Sequence, residues 1–411
     1  MKQWGTHRTE PTRNNDRRRA VDNPKMTPYP WIQDFPHPPD ALYLNGGTLS
    51  LVPLPVMERF VSSWQEWNQE GAGNPLHYQS WRERVEHTRS SLAQFCGQPQ
   101  AVTSLHLTSS VSDALNLGLL GLALAPDAAI ITTDQEHPAL IAPLTALSVG
   151  ERVGYVLPYG HGDAELLDRL EAVLKKSQPR LGLVALSHVS HMTGATVDAQ
   201  AMADLCHRYH ARLLLDGAQA VGQVPVAPGF AADVYVLNGQ KWGLAPVGNA
   251  GLYINPALAD EGWNPPVNGP SDGFWSDYPA SLSGGWTSHY RRLEYGTRAW
   301  PTWIAWKDAI EYRAKWASLG FAEHPSRLAR RLRRALLRRP NLTLWSPVDA
   351  PTATVSFSLA AYTSSQLSDA LSQAGIVHRL IGPPVDAVRL TFGPWNYDSA
   401  VDQVLATLDA L

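Results

Sequence analysis

The stretch 234-VYVLNGQKWGLAPVGNAGLYI-254 decides the fold. It reads as two apolar strands, VYVL and AGLYI, joined by a glycine-rich loop. Short apolar runs bounded by Gly and Asn suit strands buried on both faces. One lysine, Lys241, sits in that loop with no carboxylate near it in sequence.

Outward from this stretch the same pattern repeats. VTSLHLT (102–108), AAIITT (128–133), RVGYVLP (152–158), LGLVALSHV (181–189), RLLLDG (212–217) and DVYVLNG (233–239) read as strands. Between the first five lie helical stretches: SDALNLGLLGLAL, PALIAPLTALSV, DAELLDRLEAVLKK and DAQAMADLCHRYH. Strands alternating with helices predict an α/β fold, a mostly parallel seven-stranded sheet flanked by helices. Residues 257–300 are rich in Gly, Pro, Ser and Trp and read as irregular. After them a long helix (PTWIAWKDAIEYRAKWA), a basic helix and a small αβ unit predict a smaller C-terminal α+β domain. The expected boundaries are a leader at 1–27, an N-terminal arm at 28–60, a large domain at 61–300 and a small domain at 301–411.

The chain has 411 residues, room for two or three domains at roughly 150 each. It is 44% hydrophobic and 17% charged, with a net charge of -3. That balance gives no broad pull toward nucleic acid or an anionic membrane. The one basic run, 327-RLARRLRRALLRR-339, has apolar residues at helical spacing and reads as a solvated amphipathic helix before an anion-binding patch. Cys96 and Cys206 lie in no metal-ligand spacing, so neither a zinc site nor a disulfide framework is expected, and two thiols suit a reducing cytoplasm. The leader is polar and basic without an apolar core, unlike a secretory signal. The longest apolar run, 117-LGLLGLALA-125, falls short of the ~20 residues a bilayer span needs.

Sites in such sheets gather at the carboxyl ends of the strands. Asp216 closes RLLLDG, His188 and His191 follow LGLVALS, and Lys241 follows DVYVLNG. A carboxylate, a buried lysine and a hydroxyl-rich strand-to-helix turn suit pyridoxal 5′-phosphate. That cofactor needs an amine for its aldehyde, an acid to keep its pyridine nitrogen protonated, and amide donors for its phosphate.

The same residues resemble the class V aminotransferase family of pyridoxal-phosphate enzymes, of fold type I. The family includes cysteine desulfurases, isopenicillin N epimerase-like proteins and C–S lyases. The resemblance rests on RLLLDGAQAVGQVPV (212–226) and ADVYVLNGQKWGLAPVGNAGLYI (232–254). YLNGGTLSLVP (43–53), SSVSDALN (109–116), EHPA (136–139), LSHVSHMTG (186–194), LEYGTRAW (293–300) and VRLTFGPWNYDSAVDQVL (388–405) follow in matching order. It implies a Schiff base at Lys241, which then carries the α-proton. It implies Asp216 at the pyridine nitrogen and Gln219 at the phenolic oxygen. Ser110, Val111 and Ser112 would cradle the phosphate, with Gln240 and His188 nearby. His137 would stack on the ring. Arg389 would hold the substrate α-carboxylate, with Asn45 and Trp242 beside the substrate. Thr297 would reach the phosphate of a second subunit, making a homodimer the working unit. Each has a blander reading, as a turn lysine, a helix cap, a solvated helix residue or an intradomain ion pair.

Two departures stand out. Gln240 replaces the histidine usual before the lysine, and His191 stands where relatives carry Asn or Ser. His191 is either a structural donor or an additional acid–base group. The segment His378–Arg389 has no cysteine, from which persulfide-type desulfurase chemistry is not expected. C–S lysis by β-elimination and α-epimerisation then lead, with transamination as the alternative. Trp242, Trp275, Trp286, Trp300 and Trp303 could wall a cationic substrate group or simply pack. A non-catalytic, pyridoxal-binding regulator is the reading from a different class. The leader is too short for the DNA-binding domain such regulators carry.

Overall fold

The computed structural model describes residues 29–71, 73–122, 124–147, 152–160, 164–177, 181–260, 263 and 293–411. The leader at 1–27, most of the stretch 257–300, Trp275 and Trp286 lie outside the described residues. The first elements are a short strand β1 (Leu42–Tyr43) and helices α1 (Leu54–Gln69) and α2 (Pro75–Phe95). Asn74 caps α2 by accepting from the amide of Leu76 at 3.1 Å. Pro75 then occupies the first turn, where a missing N–H leaves no bond unmade.

Strands and helices next alternate as the sequence predicts. They are β2 (Leu105–Thr108), α3 (Val111–Leu120), β3 (Ala129–Thr133), α4 (Pro138–Leu147), β4 (Val153–Leu157), α5 (Ala164–Ser177), β5 (Leu181–Ser187), α6 (Ala199–Arg208), β6 (Arg212–Asp216), β7 (Val234–Asn238), β8 (Ala250–Ile254) and a short α7 (Pro256–Asp260). Seven strands form one sheet in the order β2-β8-β7-β6-β5-β3-β4. Only β8 runs against its neighbours. The loop 239–249 is shorter than the dozen or so residues a parallel crossover needs, so β8 must return antiparallel. β7 and β8 are buried along their whole length, as their unbroken apolar runs require.

The remaining elements are α8 (Trp300–Lys315), α9 (Glu323–Leu336), β9 (Leu342–Leu344), β10 (Thr354–Leu359), α10 (Ser364–Gln373), β11 (Ile376–Val377), β12 (Arg379–Ile381), β13 (Ala387–Thr391) and α11 (Ser399–Asp409). Four of these strands make an antiparallel sheet, β12-β13-β10-β9. β1 pairs in parallel with β11, which ties the N-terminal segment to this smaller layer. The basic helix α9 buries Leu328, Leu332 and Leu336 in the core that includes Val355 and Phe357 of β10. Its outer arginines meet carboxylates: Arg327 pairs with Asp398 at 2.8 Å, Arg334 with Asp349 at 3.0 Å, and Arg331 with Asp402. Arg333 instead is buried and donates to the carbonyls of Val348, Ala350, Thr352 and Thr354. These arginines are spent within the fold, so α9 is an amphipathic packing helix.

Candidate active site

The carboxyl ends of β5, β6 and β7 lie side by side, with Ser187 in register with Asp216 and Asp216 with Val236. Lys241 follows β7 directly. Its loop is pinned where Ser50 donates to the Lys241 carbonyl at 2.5 Å. Gly217, just after Asp216, allows a close approach: a Cβ there would lie 2.2 Å from the Tyr235 ring. At these strand ends opens a cavity of about 630 Å³, within the range of small-molecule sites.

Lys241 and Asp216 both line it. Burial pulls the Lys241 amine down to about 8, Arg389 pulls it the same way, and Asp216 partly offsets the shift. No hydrogen bond or ion pair holds its Nζ among the described residues. Asp216 is 4% exposed and accepts from the Ala218 amide at 2.9 Å. Burial raises its pKa; that amide and Lys241 oppose the rise.

Ser110, Val111 and Ser112 line the cavity at the start of α3. The Ser110 side chain accepts from the Asp113 amide at 3.0 Å. The amides of Val111 and Ser112 open the helix and have no intrahelical acceptor, so they suit a phosphate. His137 and His191 also line the cavity, ring centroids 5.3 Å apart and edge to face. Burial first, then the neighbouring cations, lowers His137 to about 4 and His191 to about 3. Both rings are therefore neutral near pH 7. His191 Nδ1 is buried without a partner. Arg389 is 3% exposed and donates to the His191 carbonyl at 2.6 Å and to Thr48 Oγ1 at 2.8 Å. Its Nε is also buried and unpartnered. Gln219 and Gln240 complete the predicted residues on the wall.

Four predicted residues do not line the cavity. His188 is buried behind it, with Nδ1 2.8 Å from the Tyr235 hydroxyl. Trp242 is buried and donates its indole N–H to Gln219 Oε1 at 2.8 Å. Asn45 accepts from the Thr48 hydroxyl at 2.7 Å and so orients the group that Arg389 contacts. Thr297 is exposed. The other described tryptophans pack: Trp303 is buried, and Trp300 lies against Trp67 and Tyr78.

Sequence reasoning missed Glu136 and Arg379, which also line the cavity. Burial pushes the Glu136 carboxyl up to about 7, against hydrogen bonds from Ser187 and Thr133. The signal for Glu136 was present in EHPA, one residue before the histidine that was singled out. Arg379 gave none, because the pairing of its strand β12 with β13 is set by the fold.

The sequence model of the class-V aminotransferases matches residues 42–393. The chain belongs to the class-V aminotransferase family. Its cofactor is pyridoxal 5′-phosphate, and the lysine, buried acid and open helix start described above fit that group. A probable cysteine desulfurase of Mycolicibacterium paratuberculosis is 28% identical over 304 residues, 72% of this chain and 43% of that protein. The chain thus spans less than half the length of that relative. Isopenicillin N epimerase of Streptomyces clavuligerus is 27% identical over 403 residues, 91% of this chain and 95% of the relative. Among solved structures, the cystine C–S lyase C-DES bound to its product cysteine persulfide matches with a TM-score of 0.79 at 22% identity, over 90% of this chain and 97% of that one. This likeness supports the type I fold.

One expectation is corrected by these findings. Persulfide-type desulfurase chemistry does not stand excluded, because cysteine desulfurases are among the relatives. The exclusion rested on a missing cysteine in one loop. In C-DES the persulfide is a reaction product, so a protein cysteine is not the sole place for that sulfur.

Proposed function

We propose that the protein takes the α-proton from a cysteine-derived amino acid and expels sulfur from its β-carbon, as a C–S lyase. The observation that carries this reading is one lowered amine, Lys241, sharing a cavity with buried Asp216 while both neighbouring imidazoles are neutral. Pyridoxal phosphate, when bound, supplies the aldehyde and an electron-withdrawing ring.

Each side chain then has a task. Lys241 is a base already near neutral pKa, so it accepts the α-proton without a large penalty. Asp216 holds a proton at the pyridine nitrogen. The start of α3 holds the phosphate. Arg389 presents its planar fork to the α-carboxylate. His137 and His191 form part of the cavity wall. The Cβ–S bond breaks with its electron pair leaving on sulfur, which takes up a proton from Lys241 or water. The remaining three-carbon fragment hydrolyses to pyruvate and ammonia.

Epimerisation is the second reading, favoured by the likeness to isopenicillin N epimerase over nearly the full length of both chains. It needs a proton donor on the face opposite Lys241, and a neutral imidazole is a poor one. We further propose a homodimer. Thr297 is exposed and lines no part of its own cavity, which suits a residue serving a second copy.

A panel of S-substituted cysteines and cystine, assayed for pyruvate and released sulfur, tests the main reading. Pyruvate should form, and Lys241→Ala should abolish both turnover and the yellow colour of the loaded protein. Loss of chirality without pyruvate selects the epimerase. Turnover that survives Lys241→Ala defeats both.

A further inference from the structure

Two arginines line the cavity, where a single α-carboxylate takes one. Arg379 of β12 stands directly opposite Arg389 of β13 in their antiparallel pair. Residues in that register project from the same face, with Cβ atoms about 5 Å apart, and like charges placed there are destabilising. Both arginines line the cavity. Arg389 is buried and held by Thr48 and the His191 carbonyl. Arg379 is exposed, and no carboxylate or hydrogen-bond acceptor pairs with it among the described residues.

The local carboxyls do not relieve this repulsion. Glu136 is committed to Ser187 and Thr133. Asp216 is bound by the Ala218 amide. Packing alone favours an apolar or oppositely charged residue at position 379. An uncompensated arginine pair in a concave site is instead the arrangement that binds two anionic groups at once.

We propose that Arg379 recognises a second acidic group on the substrate, so that the amino acid carries an anionic side chain beyond the α-carboxylate. In the lyase this is a cysteine whose sulfur substituent ends in a carboxylate. The inference deepens the proposed function and rests on its placing of the α-carboxylate at Arg389.

Calorimetry on the cofactor-loaded protein tests it with carboxylates that lack an amine and cannot react. Succinate, glutarate and adipate are compared with butyrate. At least one dicarboxylate should bind about tenfold tighter than butyrate, the range of one charge-assisted pair. Arg379→Leu should remove that preference. The substituted side chain is exposed and its charge is repelled, so the variant is expected to fold. Equal binding of mono- and dicarboxylates to the wild type overturns the proposal, as does a preference that persists in Arg379→Leu. Loss of cofactor from Arg379→Leu on dialysis also overturns it, by assigning the arginine to the cofactor phosphate. Colour that depends on Lys241 is read separately, so failure of the cofactor site is told apart from failure here.

Discussion

Asp216 and Lys241 line one cavity and each moves the other's proton affinity toward its charged form, against burial that pushes both toward neutrality. Burial wins at the lysine, leaving an amine near 8 rather than 10.5. A base of that strength is half free close to physiological pH, which is what proton abstraction at carbon requires.

That balance has a measurable consequence for stability. Below pH 8 the folded protein must hold a charge in a site that disfavours it, while the unfolded chain holds it freely. Between about 8 and 10.5 the unfolded chain binds more protons, so this group's contribution to stability rises with pH. The shift corresponds to about 3 kcal/mol, and water in the open cavity should screen it to about 2 kcal/mol. Lys241→Met should therefore stabilise the cofactor-free protein at pH 7, with the gain fading near pH 10. Urea unfolding across that range checks it; a gain independent of pH refutes the linkage.

Glu136 titrates with the opposite sign. Its folded carboxyl rises from 4.5 to about 7, so between those values the folded state binds more protons. Stability should fall as pH climbs through that window. Glu136→Gln should remove about 3 kcal/mol of pH-dependent change in stability between pH 4.5 and 7. Parallel denaturation curves for the two proteins at each pH would show the prediction to be wrong.

Asp216→Asn should keep the cavity's shape, since an amide oxygen can still accept from Ala218. It cannot carry the negative charge that holds a proton on a pyridine nitrogen. We expect kcat to fall roughly 100-fold or more while the loaded protein stays yellow. Full activity in this variant removes Asp216 from the mechanism.

Arg89 is fully buried and donates to both oxygens of Glu294, at 2.5 and 2.8 Å, as well as to Glu86. Glu294 also accepts from the Leu107 amide at 2.6 Å, which anchors the segment leading to Thr297 onto β2. Glu294→Ala should cost about 3 kcal/mol, because it removes the carboxylate that accepts twice from a buried guanidinium. Thermal melting measures this. A shift within the error of the melt would show the pair to be dispensable.

Residue pattern alone made much of this protein legible. Apolar runs such as RLLLD and VYVLN can be buried only in a covered sheet, so they gave its strands and, at their ends, Asp216 and Lys241. Ser110 came from the resemblance of SSVSDALN to the family's phosphate turn, and its side chain caps α3. The helices α1 and α2 went unread.

Tertiary structure decided what lies between distant segments. It drew Trp242 and His188 out of the site, because an indole N–H and an imidazole buried beside Gln219 and Tyr235 find their partners there. It brought in Glu136 and set Arg379 opposite Arg389, a pairing fixed by strand register and invisible to any local window. Sequence determines which groups can be buried along a strand; only the packed fold determines which charges then face one another.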